Sequence, residues 1–138
     1  MSADWKLNAV TADRGDLIWS KQFFHAPSRR GILLHLNKNN NKKSIFIASG
    51  KRLLKLDSKT GKLDKKFGKS GSIYVKKTLF APLVYKNQII LTDTKGIISS
   101  YNLETGILNF SENIHPVDEA KHYSSPWSGA ALDKKNGL

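Results

Sequence analysis

Between Ala81 and Ser111 the chain alternates short apolar runs with polar breaks: "APLVY", "QIILT", "GIISSYN" and "ILNFS" are divided by "KN", "DTK" and "ETG". Runs this short, rich in β-branched and aromatic residues and bounded by Gly, Asn and Asp, predict four strands joined by tight turns. The same wording occurs twice earlier. "LNAVTADRGDLIW" surrounds Gly15, "LLKLDSKTGK" surrounds Gly61, and "ISSYNLETGILNF" surrounds Gly106. The three glycines are spaced by about 45 residues, a period long enough for one four-stranded unit.

Four strands per such period is the pattern of a β-propeller blade. Residues 1–138 therefore read as a single all-β domain, a partial propeller of about three four-stranded antiparallel blades with repeats centred near Gly15, Gly61 and Gly106. Each glycine supplies the positive φ that a tight hairpin with a bulge requires. Trp19 and Phe110 stand four residues after their glycines, where an outer strand can wedge a ring between neighbouring sheets. The middle copy has Lys65 at that place and Phe67 two residues later. Helix is expected only around "VDEAKH", Val117 to His122.

Closed propellers use about four to eight blades, and an open array leaves sheet faces bare at both ends. The expectation is a partner for those faces, either further blades or a second copy of the chain.

Composition changes this picture little. Hydrophobic content of 39% supports a packed domain, with "NKNNNKK" from Asn37 to Lys43 as a solvated loop. The net charge of +12 is large. Its lysines fall mostly in or beside predicted turns (Lys38, Lys42, Lys43, Lys51, Lys59, Lys62, Lys69, Lys86, Lys95, Lys134 and Lys135), where solubility accounts for them. No helix-turn-helix, finger or RNA-binding strand pattern accompanies the charge, so nucleic acid is not expected as a partner. The absence of cysteine removes disulfides, zinc-thiolate sites and thiol catalysis together. No apolar run approaches the roughly 18 residues of a membrane span, and no basic segment with a hydrophobic signal core opens the sequence. His25, His35, His115 and His122 lack the spacing of a helix-borne zinc pair, so no metal site is expected. Asp118 and Glu119, adjacent on an irregular segment, read as solvated carboxylates rather than an acid-base pair. "GKSG" from Gly68 lacks the spacing of a phosphate loop.

The repeat stretches, with "SRRGILLHL", "GKLDKKFGKSGSI", "APLVYKNQIIL" and "PWSGAALDKKNGL", resemble the pyrroloquinoline quinone (PQQ) dehydrogenases of the glucose, quinate and polyol type. The resemblance covers nearly the whole chain and matches an N-terminal portion of those longer, eight-bladed enzymes. It implies a PQQ site with Arg30 on the cofactor carboxylates, Trp127 stacked on the ring, and Thr78 as a weaker hydroxyl contact. A bidentate guanidinium suits a carboxylate, and an indole face suits a conjugated quinone. For each residue a purely structural role stays open: Arg30 pairing with an acid, Trp127 filling a sheet interface, Thr78 satisfying a turn. The resemblance implies a periplasmic setting and an alcohol or sugar substrate for the complete relatives. It also implies calcium on the quinone carbonyl, but the loop that would carry the first acidic ligand is reduced here to "TDTKG" from Thr92. The asparagine ligand and the catalytic aspartate have no counterpart before Leu138, so no catalytic residue is assigned. Two functions follow: a fragment or shortened paralogue of such a dehydrogenase, inactive alone, or a non-catalytic propeller scaffold that binds protein.

Overall fold

The computed structural model describes residues 5–114, 130–133 and 135. Among them there are ten strands and no helix: β1 (Trp5–Val10), β2 (Leu17–Phe23), β3 (Leu33–Asn37), β4 (Lys42–Ser49), β5 (Arg52–Asp57), β6 (Ser72–Tyr74), β7 (Leu83–Tyr85), β8 (Gln88–Thr92), β9 (Ile97–Asn102) and β10 (Leu108–Asn113). They form three antiparallel sheets: β1-β2, then β3-β4-β5-β6, then β7-β8-β9-β10. The fold is the expected all-β partial propeller. The second and third sheets have four strands each, whereas the first has two among the described residues. The Gly15 turn follows one described strand, while the Gly61 and Gly106 turns each follow three. Val117 to His122 lies outside the described residues.

The three turns match atom for atom. Gly15, Gly61 and Gly106 have φ of 75°, 67° and 75°. Their amides donate to Thr11, Asp57 and Asn102 carbonyls at 3.0, 2.9 and 2.9 Å. The amides of Thr11, Asp57 and Asn102 in turn donate to Asp16, Lys62 and Ile107 carbonyls at 2.9, 2.8 and 2.7 Å. In the second and third copies the side-chain oxygen of the Asx residue accepts the next free amides, Lys59 and Thr60 for Asp57, Glu104 and Thr105 for Asn102. This Asx geometry offers the turn amides a partner that water would otherwise supply.

Side-chain alternation along β4 builds the two halves of the core. Ile45 and Ile47 face the first sheet and pack with Phe23 and Leu56, with Trp5, Leu7 and Trp19 closing over them. Phe46 points the other way, into a cluster with Leu53, Phe67, Ile89, Leu91 and Tyr101 at the third sheet. A strand buried on both faces is what a sheet between two others requires. β10, at the far edge of the third sheet, is exposed throughout.

Each sheet is keyed to the next through the glycine turn. The Trp19 ring covers Gly61 so closely that a Cβ there would stand 2.6 Å from Cε3, and its Nε1 donates to the Ser58 carbonyl at 3.0 Å. At Gly106 the covering groups are Ile73 and Phe67, with a Cβ placed 2.5 Å from Ile73 Cγ2 and 3.1 Å from Phe67 Cε2. Phe67 takes the wedge position in the middle copy because the chain leaves its outer strand after the Leu56–Leu63 bridge, loops, and returns as β6. That detour explains the lysine at position 65.

Candidate functional site

Arg30 and Thr78 lie at the junction of the second and third sheets. The segment before Arg30 is pinned by Ser28, whose amide donates to Ala48 carbonyl at 2.7 Å and whose hydroxyl donates to Leu79 carbonyl at 2.6 Å. Arg30 then pairs with Phe80 as a parallel bridge, and its guanidinium carbon sits 5.4 Å from the Phe80 ring centre. Thr78 is buried, and its hydroxyl accepts the Phe80 amide at 3.2 Å. Both residues thus converge on Phe80. Thr78 also lines a cleft of about 10 Å³ with Lys76, Asp93 and Ser99, room for no more than a single water. Trp127 lies outside the described residues. Among the described residues, Arg30 and Thr78 bring a guanidinium and a buried hydroxyl to the same ring.

The "TDTKG" loop is a tight turn between β8 and β9. Asp93 is buried there, and its Oδ1 accepts the amides of Lys95 at 2.7 Å and Ile97 at 2.8 Å. Its carboxylate is engaged in holding the turn. Among the described residues no three His, Cys, Asp or Glu side chains group as metal ligands, and no helix is long and apolar enough to cross a membrane.

Two features escape a reading by local pattern. The first is Lys55, 3% exposed in the middle of β5. Its ammonium donates to Glu104 at 2.6 Å and to the Leu103 carbonyl at 3.3 Å, with Asp64 at 3.6 Å. It also lies 5.6 and 5.8 Å from the Phe46 and Phe67 ring centres. Asn37 donates to the second oxygen of Glu104 at 3.3 Å. His35 lines the same small cavity as Lys55, and burial lowers its pKa. Three acceptors around one ammonium hold it as a clasp between the second and third sheets. The signal in the sequence was a lysine within "RLLKLD", between apolar neighbours, where every other lysine considered sat by a turn.

The second feature is a groove of about 660 Å³ between the outer strands of the second and third sheets. Arg52, Lys69 and Lys76 line it with Tyr74, Tyr101, Ser99 and Ser111, and among the described residues no acidic side chain does. Ser99 and Ser111 hydroxyls share a hydrogen bond of 2.9 Å across its floor. Burial raises the Tyr101 pKa, so that phenol meets the groove as a neutral hydroxyl. β6 and β10, each at the end of its sheet, flank the opening.

No protein-family profile matches the chain, and no curated protein matches it. Solved structures do. BamB from Moraxella catarrhalis, a β-propeller, aligns with a TM-score of 0.55 and 14% identity, over 79% of this chain and 30% of that one. The likeness carries the fold alone, that of a β-propeller. The chain spans 30% of the length of that structure.

Proposed function

We propose that the chain is a non-catalytic propeller scaffold that binds an acidic, extended protein segment along the groove between its second and third sheets. What supports this is one observation: three cations converge on an opening with hydroxyl and phenol groups and, among the described residues, no opposing acid. A strand laid there can pair with the free edge of β10 while its carboxylates meet Arg52, Lys69 and Lys76, which is strand addition with charge complementarity. The net charge of +12 steers such a partner towards the protein.

A fluorescein-labelled peptide of alternating Glu and Val is the probe. Fluorescence anisotropy shows binding that weakens with added salt, and Lys69→Glu with Lys76→Glu weakens it by about tenfold or more. Lys38→Glu with Lys59→Glu, placed in turns away from the groove, leaves it near the wild-type value. Equal loss from both pairs, or displacement of the peptide by duplex DNA through the same turn lysines, would show general attraction to polyanions instead.

A second reading rests on the convergence of Arg30 and Thr78 on Phe80. In it the chain is a portion of a PQQ-dependent alcohol or sugar dehydrogenase of the periplasm, with Arg30, Thr78 and Trp127 towards the cofactor and the calcium ligands supplied elsewhere. PQQ titrated into the protein then quenches tryptophan fluorescence, and Arg30→Ala weakens the apparent affinity by about tenfold, the loss of one charge-assisted carboxylate contact. Fluorescence indifferent to PQQ removes this reading.

A further inference from the structure

The two outer faces of the array are the two halves of a joint that the chain makes twice internally. In that joint side chains of one sheet, an aromatic ring among them, cover the glycine turn of the next: Trp19 over Gly61, Ile73 with Phe67 over Gly106. At the first sheet the receiving half is bare, since a Cβ on Gly15 meets nothing within 4 Å. At the third sheet the wedge half is bare, since Phe110, four residues after its glycine like Trp19, is 41% exposed.

The bare receiving face repeats the covered one. Counting from each glycine, Leu17 corresponds to Leu108, Ser20 to Ser111 and Asn8 to Ser99. Ser20 donates to Asn8 across the first sheet at 2.7 Å, as Ser99 and Ser111 share a bond of 2.9 Å across the third. On the third sheet that polar pair lies on the side facing its neighbour, lining the groove opposite Arg52. Leu17 and Ile18 beside the Gly15 turn are exposed, at 63% and 57%. The wedge face of the third sheet carries Phe110 and, two residues on, Glu112, opposite in charge to Lys6 of the receiving face, whose Arg14 is paired with Asp13 and Asp16.

We infer that a second copy of this chain docks head to tail, its Phe110 seated on the Gly15 turn as Trp19 seats on Gly61. Such contacts are heterologous: the surface used on one copy differs from that used on the other, so each added copy leaves a new free end until a ring closes. The seating needs no rearrangement of the turn, whose backbone already matches Gly61 and Gly106. Because every copy carries +12, repulsion opposes assembly and salt promotes it, the reverse of the expected salt effect on groove binding.

Sedimentation of the 138-residue chain tests this. The wild type gains mass with concentration, and more so at raised salt. Phe110→Glu and Leu17→Glu each weaken association by about tenfold or more, as loss of a central anchor does. Tyr74→Glu, on an exposed residue of the groove, removes no joint contact and leaves association near wild type. Mixed together, the two end variants form a one-to-one dimer and stop, because Phe110→Glu keeps a sound receiving face and Leu17→Glu keeps a sound wedge. Far-ultraviolet circular dichroism confirms that both are folded. A wild type monomeric at every concentration overturns the inference, as does association unmoved by either variant. Folded variants that stay monomeric when mixed also overturn it, because only an interface between identical faces loses pairing in that way.

Discussion

Gly61→Ala unfolds at a distinctly lower urea concentration than Gly15→Ala, although the two glycines have nearly the same backbone. Each sits at positive φ, 67° and 75°, where an L side chain costs about 1–2 kcal/mol. At Gly15 that is the whole effect, because an added Cβ meets nothing within 4 Å. At Gly61 the Cβ stands 2.6 Å from Trp19 Cε3 and 2.8 Å from Cδ2, distances real Cβ atoms do not show. The indole must move off the turn, loosening its bond to the Ser58 carbonyl and its place over Ile45, Ile47 and Leu56. Overpacking of this sort adds about 1–3 kcal/mol. Urea midpoints at constant slope measure the difference between the variants. Equal losses would mean that the wedge does not key the first sheet to the second.

Lys55→Ala destabilises the protein by about 3–5 kcal/mol, and Lys55→Met by distinctly less, because methionine restores the lost volume but not the charge. Both variants leave Asp64, its side chain only 15% exposed, with Lys42 at 3.7 Å as its remaining ammonium, and the alanine also opens a void beside Phe46 and Phe67. The methionine fills that space and removes the need to strip water from a cation. Glu104 is half exposed and returns to solvent at little cost once its partner is gone. Urea unfolding of both variants decides the matter. An equal loss in the methionine variant would show that the charge itself, and not the volume, holds the second and third sheets together.

How far these features could be read beforehand follows from the range of the contacts that make them. The repeat, the turns and the wedge at Trp19 all rest on residues within a few positions of a glycine, and local chemistry is written locally. The same holds for Asp93, which could be seen only as part of a short turn and is engaged as one. Phe67 was visible as an aromatic displaced by two positions, but not as the wedge over Gly106, because its approach depends on a loop that leaves the outer strand and comes back.

For the site, the sequence brought forward Arg30, Thr78 and Trp127 by resemblance, and the fold brings the first two to one ring, Phe80. It concealed the groove, since Arg52, Lys69 and Lys76 belong to three different local settings and become neighbours only when β6 turns back along β5 opposite β10. It concealed Lys55 for the same reason: its partner Glu104 is 49 residues away, on another sheet. Alone, the sequence determined the all-β repeat, the positive-φ turns and the period that spaces them, because each depends on short-range backbone preference. Which charges are buried, which gather, and which sheet faces stay bare was decided by tertiary structure, because burial is set by the stacking of whole sheets and no single stretch of chain contains it.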